Sequence, residues 1–278
     1  MNIIQLFNKE DFKPHRLDGE WPLLSRVNEG TIGVISIGEF SIELYEATIH
    51  RSSVVEITQF KTINDGLNQE SANLIKKESA SRKIGSWVVS LATGPCPTRE
   101  NLVNERPDLE LYRIAKHNPK AALKDAFSAN SLYAIASSQE GRGTIIFEEK
   151  RDSVQRIEGL LKELKICRIQ NGIYAFVHYF SKTNTEKDLV LAVSDRESCL
   201  FLKIESGNWA QISYRKLSSA EDLETIFDEI LPALNPRSLP LKWVSTSPSH
   251  VETILKDGPQ EQLLKEINNP IAWSSLYA

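Results

Sequence analysis

The sequence has few of the residues and motifs that most enzyme and metal sites require. Its 278 residues include three cysteines, Cys96, Cys167 and Cys199, which lie far apart and are odd in number. They favour a reducing compartment and roles as small buried side chains. The five histidines are equally dispersed, and there is no nucleophile elbow, P-loop or dinucleotide fingerprint. Local motifs therefore predict no catalytic residue, no metal site and no cofactor.

The sequence also lacks an excess of positive charge and any long apolar run. Its 33 lysines and arginines against 37 aspartates and glutamates give a net charge of −4, so no basic field attracts nucleic acid or anionic lipid. The first ten residues lack the basic start and apolar core of a signal peptide. No window approaches the roughly 20 apolar residues of a membrane-spanning helix. These absences predict a soluble, intracellular protein with no nucleic-acid partner.

The elements that the sequence does predict begin with an antiparallel meander. Residues 1–30 are predicted as an arm, either extended over the protein or mobile. Short runs rich in β-branched residues then predict three strands: Gly33–Ile37, Ser41–Ala47 and Ser53–Phe60, with a turn at Arg51–Ser52. A polar helix over 69–83 and a strand over 87–92 follow.

The clearest helix is predicted from residue 152 to residue 164. Its apolar residues recur at intervals of three and four: Val154, Ile157, Leu160, Leu161 and Leu164. Asp152 or Ser153 is expected to cap it. A strand at Ile166–Ile169 and an apolar helix at Ile173–Phe180 follow, and residues 182–187 are expected to form a polar linker.

The pattern of the first strands then occurs again. Three further strands are predicted at Leu189–Val193, Cys199–Ile204 and Ala210–Arg215. The chain is completed by a capped helix over 219–231, a strand at Trp243–Ser245 and closing helices over 251–255 and 260–267. Two copies of a strand meander followed by helices predict an internally duplicated fold.

Further elements are predicted between the strand over 87–92 and the clearest helix. Helices are predicted over 109–115 and 119–127, and residues 132–136 and 144–147 are expected to pair as a hairpin. Gly141-Arg142-Gly143 lies in the connection. Because no helix follows these glycines, they indicate a hairpin turn rather than a phosphate loop.

This order of elements resembles the PilM and GspL type of actin-like protein, the cytoplasmic platform components of type IV pilus and type II secretion machines. The most specific stretches are Val154–Leu164, Ile166, Ile169 and Ala175–Val177. The resemblance implies an α/β, actin-like (ribonuclease H-like, duplicated) fold of two domains with an inserted subdomain in the first. The implied bounds are an arm at 1–30, a first domain at 31–83 plus 151–182, the insertion at 84–150 and a second domain at 183–278.

The nucleotide motifs of that family are altered in this sequence. Nucleotide-binding actin-like proteins place an Asp-x-Gly turn after the first strand of each domain and adjacent glycines on the adenosine side. Here the first turn reads Ser36-Ile37-Gly38, the second contains Asp195 but no glycine, and the strand ending at Ser245 is followed by no glycine pair. Ser36, Gly38, Asp195 and Ser245 are the degenerate positions, and we expect no bound nucleotide.

Two functions of different classes stay open. The first is a pseudo-ATPase scaffold that binds an inner-membrane assembly protein through a short cytoplasmic peptide, with a secretion or pilus ATPase as a second partner. Such a protein is cytoplasmic and peripheral to the inner membrane through its partners, with no membrane span in this chain. The alternative is an active actin-like ATPase or sugar kinase, which needs the missing turn carboxylates and glycines.

A partner-binding surface is predicted beside the inserted subdomain. The resemblance implies that a partner peptide docks near that subdomain, where this chain carries Arg99, Arg106, Leu109, Tyr112 and Arg113. Arginine and tyrosine often anchor interfaces because each joins a large contact area to directional hydrogen bonds. The alternative is that these residues are ordinary solvated charges around a turn.

Overall fold

The structure, a computed structural model, contains both predicted meanders and the hairpin between them. The described residues are 29–38, 41–51, 53–82, 84–91, 118–123, 127–138, 144–194, 198–216, 225, 229, 232–233, 239–245 and 262–263. Their strands are β1 (Glu29–Ile37), β2 (Ile42–His50), β3 (Ser53–Ile63), β4 (Ser86–Leu91), β5 (Ser131–Ser137), β6 (Thr144–Lys150), β7 (Ile166–Asn171), β8 (Leu189–Ser194), β9 (Ser198–Glu205), β10 (Asn208–Lys216), β11 (Leu241–Ser245) and β12 (Gln262–Leu263). Their helices are α1 (Gln69–Ser81), α2 (Pro119–Leu123), α3 (Arg151–Leu160) and α4 (Gly172–Thr183).

Five strands form the first sheet in the order β3-β2-β1-β4-β7. The strands β1, β2 and β3 pair antiparallel, whereas β4 is parallel to β1 and β7 is parallel to β4. Arg51 has a φ of 50° in the connection between β2 and β3, where the sequence predicts a turn. The predicted meander is confirmed, and each of its three strands is longer than predicted.

A second five-stranded sheet repeats this arrangement. Its order is β10-β9-β8-β11-β12, with an antiparallel meander and two parallel pairs beyond it. Ser206 and Gly207 connect β9 to β10 with φ of 52° and 78°, the positive values that a two-residue hairpin turn uses. The predicted internal duplication is confirmed. The helix predicted over 260–267 is wrong at Gln262–Leu263, which pair in parallel with β11.

The helix α1 starts as predicted and ends two residues earlier than predicted. Asn68 caps it, because the side-chain oxygen accepts a hydrogen bond from the backbone N–H of Ser71 at 2.9 Å. Ala72 and Ile75 are buried, whereas Leu74 is 44% exposed. The apolar positions predicted for this helix therefore divide between its two sides.

The face of the first sheet that carries Ile35 is the face on which α1 packs. On this face Glu46 of β2 forms an ion pair with Arg82 at the end of α1, with Oε2 and Nη1 2.6 Å apart. Lys61 of β3 forms a second ion pair with Glu78 of α1 at 3.6 Å. Partly exposed ion pairs contribute little to stability, but these two show on which side of the sheet the helix lies.

The helix α3 is shorter than the predicted helix. Its N-cap is Lys150, whose side chain makes no capping hydrogen bond, so the predicted cap at Asp152 or Ser153 is wrong. The carboxylate of Asp152 instead accepts a hydrogen bond from Nδ2 of Asn130 at 3.2 Å. The helix ends before Leu161, which is fully buried in the turn that follows.

The strands β5 and β6 form a two-stranded antiparallel sheet separate from the other two, which confirms the predicted hairpin. The helix α4 packs beside it, where the rings of Phe147 and Tyr174 meet edge to face with centroids 5.4 Å apart. Asn171 caps α4 by accepting a hydrogen bond from the N–H of Tyr174 at 3.0 Å. The helix runs to Thr183, so the start of the linker predicted at residue 182 is wrong.

Several predictions fall partly or wholly outside the described residues. The start of the helix predicted over 119–127 is confirmed by α2, whereas the helices over 109–115 and 251–255 lie outside. Cys199 is buried as expected, Cys167 is exposed contrary to expectation, and Cys96 lies outside. No helix in the described ranges is long and apolar enough to span a membrane. The domain bounds stay a prediction.

Candidate functional site at the carboxyl ends of the parallel strands

The candidate site lies at the carboxyl ends of the parallel strands. In open α/β sheets, ligands bind in the crevice outside these ends. The strands β1, β4 and β7 end at one edge of the first sheet, and β8 and β11 end together in the second. Ser36, Gly38 and Ser245 lie at these ends. Asp195 and the side chain of Ser245 lie outside the part of the chain that the structure describes.

Ser36 belongs to a row of polar residues that crosses the whole first sheet. The register aligns one residue from each of the five strands, which we call the polar row: Thr62, Glu43, Ser36, Ser90 and Gln170. The last three are buried. The carboxylate of Glu43 accepts a hydrogen bond from the Tyr45 hydroxyl at 2.6 Å. The polar row supplies hydroxyl and amide groups, and its one carboxylate lies on β2 rather than at the end of β1.

Gly38 closes the turn between β1 and β2. Its backbone N–H donates a hydrogen bond to the carbonyl oxygen of Ser41 at 2.8 Å. A phosphate-binding turn needs amides that point at the ligand. The Gly38 amide is already hydrogen-bonded within its own turn, so it does not have the arrangement of a phosphate-binding amide.

The register identifies the residue of the second sheet that is equivalent to Ser36. The last strand pair before the turn is Ile37–Ile42 in the first sheet and Ser194–Cys199 in the second, with four residues between the partners in each case. Ser36 comes directly before the first of these pairs, and Val193 comes directly before the second. Val193 is fully buried. The position equivalent to the first-turn acid is therefore a hydroxyl in one sheet and an apolar side chain in the other.

Glu149 lies near the end of β6. Among the described carboxyl groups, it is the one whose pKa is strongly raised. It is 7% exposed. Burial raises its pKa from 4.5 to about 7, the hydrogen bond from Asn171 lowers it, and the charge of Glu148 raises it. A carboxyl group that titrates near neutral pH can exchange a proton there. Within the described ranges, however, no group of three or more His, Cys, Asp or Glu side chains could hold a metal ion.

The predicted partner-binding residues all lie outside the described residues: Arg99, Arg106, Leu109, Tyr112 and Arg113. The surface that they would form stays a prediction. The described parts of the predicted insertion are β4, α2 and the hairpin of β5 and β6. The hairpin lies beside the first turn of α4.

Comparisons with known proteins find structures rather than sequences. No protein-family model and no curated protein sequence matches the chain. A Bacteroides thetaiotaomicron protein with an actin-like ATPase fold and unknown function matches with a TM-score of 0.54 and 12% identity, over 94% of this chain and 100% of that one. The PilM–PilN type IV pilus biogenesis complex matches with a TM-score of 0.51 and 13% identity, over 91% of this chain and 98% of that one.

A third structure is the cytoplasmic domain of EpsL, an inner-membrane component of the Vibrio cholerae type II secretion system. It matches with a TM-score of 0.49 and 14% identity, over 88% of this chain and 94% of that one. This score is too low to add to the argument. The two structures with the higher TM-scores match nearly the whole chain. Within this chain, the two five-stranded sheets have matching strand orders. At such low identities the structural matches show the fold alone, and the chain has the actin-like fold that its sequence predicts.

Proposed function

We propose that this chain is a non-enzymatic scaffold, a pseudo-ATPase that binds an inner-membrane assembly protein. The observation that carries the proposal lies at the ends of β1 and β8, where Ser36 and Val193 occupy the equivalent positions of the two turns. A single hydroxyl and an isopropyl group cannot bind Mg²⁺ or orient a water molecule as a carboxylate does. The hydrogen bond from the Gly38 N–H to the carbonyl oxygen of Ser41 also occupies one backbone amide of the first turn, which is then not available to phosphate.

Protein binding is supported by one of the similar structures. That structure is a complex of PilM with PilN, two proteins of type IV pilus biogenesis. Together with the sequence resemblance, it supports a cytoplasmic protein that is held at the inner membrane by a short peptide of its partner. The machine is of the type IV pilus or type II secretion kind, and its assembly ATPase is a second partner.

Millimolar ATP with magnesium is expected to change the melting temperature by less than about 1 °C. The reason is that the position equivalent to the family's turn acid holds Ser36 in the first sheet and Val193 in the second, and neither side chain is a carboxylate. A ligand present at 100 times its Kd adds about 2.7 kcal/mol to stability, which raises the melting temperature of a chain of this size by several degrees. Differential scanning fluorimetry with ATP, with ADP and with magnesium alone measures the effect.

A magnesium-dependent rise of several degrees with ATP would contradict the scaffold proposal and support the enzyme alternative. Phosphate release from ATP alone would then identify an ATPase. Formation of ADP that requires an added hexose would identify a sugar kinase.

The double variant Arg106→Glu with Arg113→Glu is expected to abolish co-purification of the inner-membrane partner while leaving the melting temperature nearly unchanged. Arginine side chains at the centre of an interface carry a large share of its binding energy. Candidate partners are the inner-membrane proteins encoded by neighbouring genes, co-expressed with the full chain and pulled down through a tag. Lys162→Glu with Lys165→Glu is the matched control, because both lysines are exposed and the net charge changes equally.

Retention of the partner at wild-type yield by the arginine variant would place the binding site elsewhere. The segment around Phe12 and Trp21 is then the next candidate. Loss of the partner from both double variants would mean that overall charge, rather than the two arginines, controls binding.

A further inference from the structure

Two side-chain contacts join β6 of the hairpin to the start of α4. The ring of Phe147 packs edge to face on the ring of Tyr174, with centroids 5.4 Å apart. Two residues further along β6, Oε1 of Glu149 accepts a hydrogen bond from Nδ2 of Asn171 at 3.4 Å. The other side-chain atom of Asn171, Oδ1, accepts the capping hydrogen bond from the N–H of Tyr174 at 3.0 Å. Both contacts therefore depend on the same capped helix end.

The surroundings of Glu149 favour its neutral form. The carboxyl group is 7% exposed, and burial is the largest cause that raises its pKa to about 7. The described titratable side chains on the strands and helices around it are Glu148 and Lys150 on β6, Tyr133 on β5, Cys167 and Arg168 on β7, Tyr174 on α4, and Arg151, Asp152, Arg156 and Glu158 on α3. Among them Glu148 acts on this pKa, and it raises the value further. The groups that shift this pKa include no cation.

We propose that the β5–β6 hairpin is a proton-controlled element, which docks on the first turn of α4 while Glu149 is protonated and opens more readily as the pH rises. A carboxylate that is buried without a neutralising partner loses its hydration, and opening of the hairpin returns it to water. The helix α4 connects the first sheet to the second along the chain. Opening of the hairpin therefore exposes the capped end of the helix that joins the two copies of the fold.

The direction of the effect follows from the two protonation equilibria. The closed hairpin holds the proton on Glu149 up to about pH 7, whereas an opened and hydrated Glu149 loses it near the ordinary value of 4.5. Between these values the closed form binds more protons, so a rise in pH favours the open form. Above about pH 7 both forms are ionised and the dependence ends. Linkage between the two equilibria gives an opening constant about 70-fold larger at pH 8 than at pH 5.

Hydrogen exchange on the full chain at pH 5, 6, 7 and 8 tests the proposal, with each protection factor corrected for the intrinsic exchange rate. In the wild type, the protection of β5 and β6 amides relative to β1 and β2 amides is expected to fall about 70-fold from pH 5 to pH 8 and to level off above about pH 7. In Glu149→Gln, which keeps the shape and cannot ionise, the relative protection is expected to change less than about twofold over the same range.

Glu148→Gln is the matched control. It removes the adjacent carboxyl group, which is only half-buried and accepts a hydrogen bond from the Ser131 hydroxyl at 2.6 Å. This variant is expected to keep most of the wild-type pH dependence. A fall of the same size in Glu149→Gln as in the wild type would overturn the proposal. The wild-type profile is a test that needs no variant, because relative protection that stays constant from pH 5 to pH 8 would also overturn it.

Discussion

Replacing Leu161 with alanine is expected to lower the free energy of unfolding by about 2 to 5 kcal/mol. Leu161 is fully buried, and it belongs to the same core as Val154 and Ile157 of α3. The surrounding backbone is hydrogen-bonded, since the N–H of Leu161 donates to the carbonyl of Ile157 at 2.9 Å and its own carbonyl accepts from Leu164 at 2.8 Å. A backbone held in this way cannot collapse into the space left by the side chain, so a cavity stays.

Leu74→Ala is the matched control for this prediction. It removes the same atoms from α1, where the leucine side chain is 44% exposed, and is expected to change the free energy of unfolding by no more than about 0.5 kcal/mol. Urea denaturation followed by tryptophan fluorescence measures both variants. A loss below about 1 kcal/mol for Leu161→Ala would show that the residue does not support the core.

The α3 region illustrates what apolar periodicity can predict. Spacings of three and four residues identified Val154, Ile157 and Leu161 as buried, and they are. The same spacing predicted a helix up to Leu164, whereas α3 ends at Leu160 and a turn follows. A turn that keeps Leu161 buried and Leu164 packed against the core satisfies the pattern equally well. Periodicity therefore reports the side that is buried more reliably than the residue at which a helix ends.

The two sheets show the difference between local and distant pairing. Both meanders were predictable because their strands are consecutive and joined by short turns, so the pattern and the turn residues lie within one stretch of sequence. The strand β12 was not predicted, because Gln262–Leu263 is too short to show alternation. Its pairing with Lys242 and Trp243 joins segments about 20 residues apart. Parallel pairing of this kind leaves no local signal.

Only part of the candidate site could be predicted from the sequence. Ser36 and Gly38 could be found because they lie at a turn whose place in the fold is recognisable from the sequence. Glu149 could not, because its neighbours Glu148 and Lys150 are charged and such a run is typical of a solvated segment. Its hydrogen-bond partner, Asn171, lies 22 residues further along the chain. Glu149 is buried in the folded protein, where the hairpin packs beside α4.

Replacing Gly33 with alanine is expected to lower the free energy of unfolding by about 3 kcal/mol. Gly33 of β1 lies opposite Trp87 of β4 in the register of the first sheet, and the tryptophan is 2% exposed. A methyl group at position 33 would lie 2.2 Å from Cε3 and 2.4 Å from Cζ3 of the Trp87 ring. Contacts of that length cannot exist, and a rigid ring buried in a packed core has little room to move away.

A double-mutant cycle with Trp87→Leu shows whether the ring is the cause. If it is, Gly33→Ala costs at least about 1 kcal/mol less when the ring is already absent than in the wild type, because the two residues are coupled. Gly85→Ala and Gly159→Ala are controls, since a methyl group at either position would meet no atom within 4 Å. Gly159 lies in the helix α3. Gly159→Ala is therefore expected to raise the free energy of unfolding by up to about 1 kcal/mol, because alanine favours a helix more than glycine does. If Gly33→Ala costs the same with leucine at position 87 as with tryptophan, the glycine is required for another reason than the ring that lies against it.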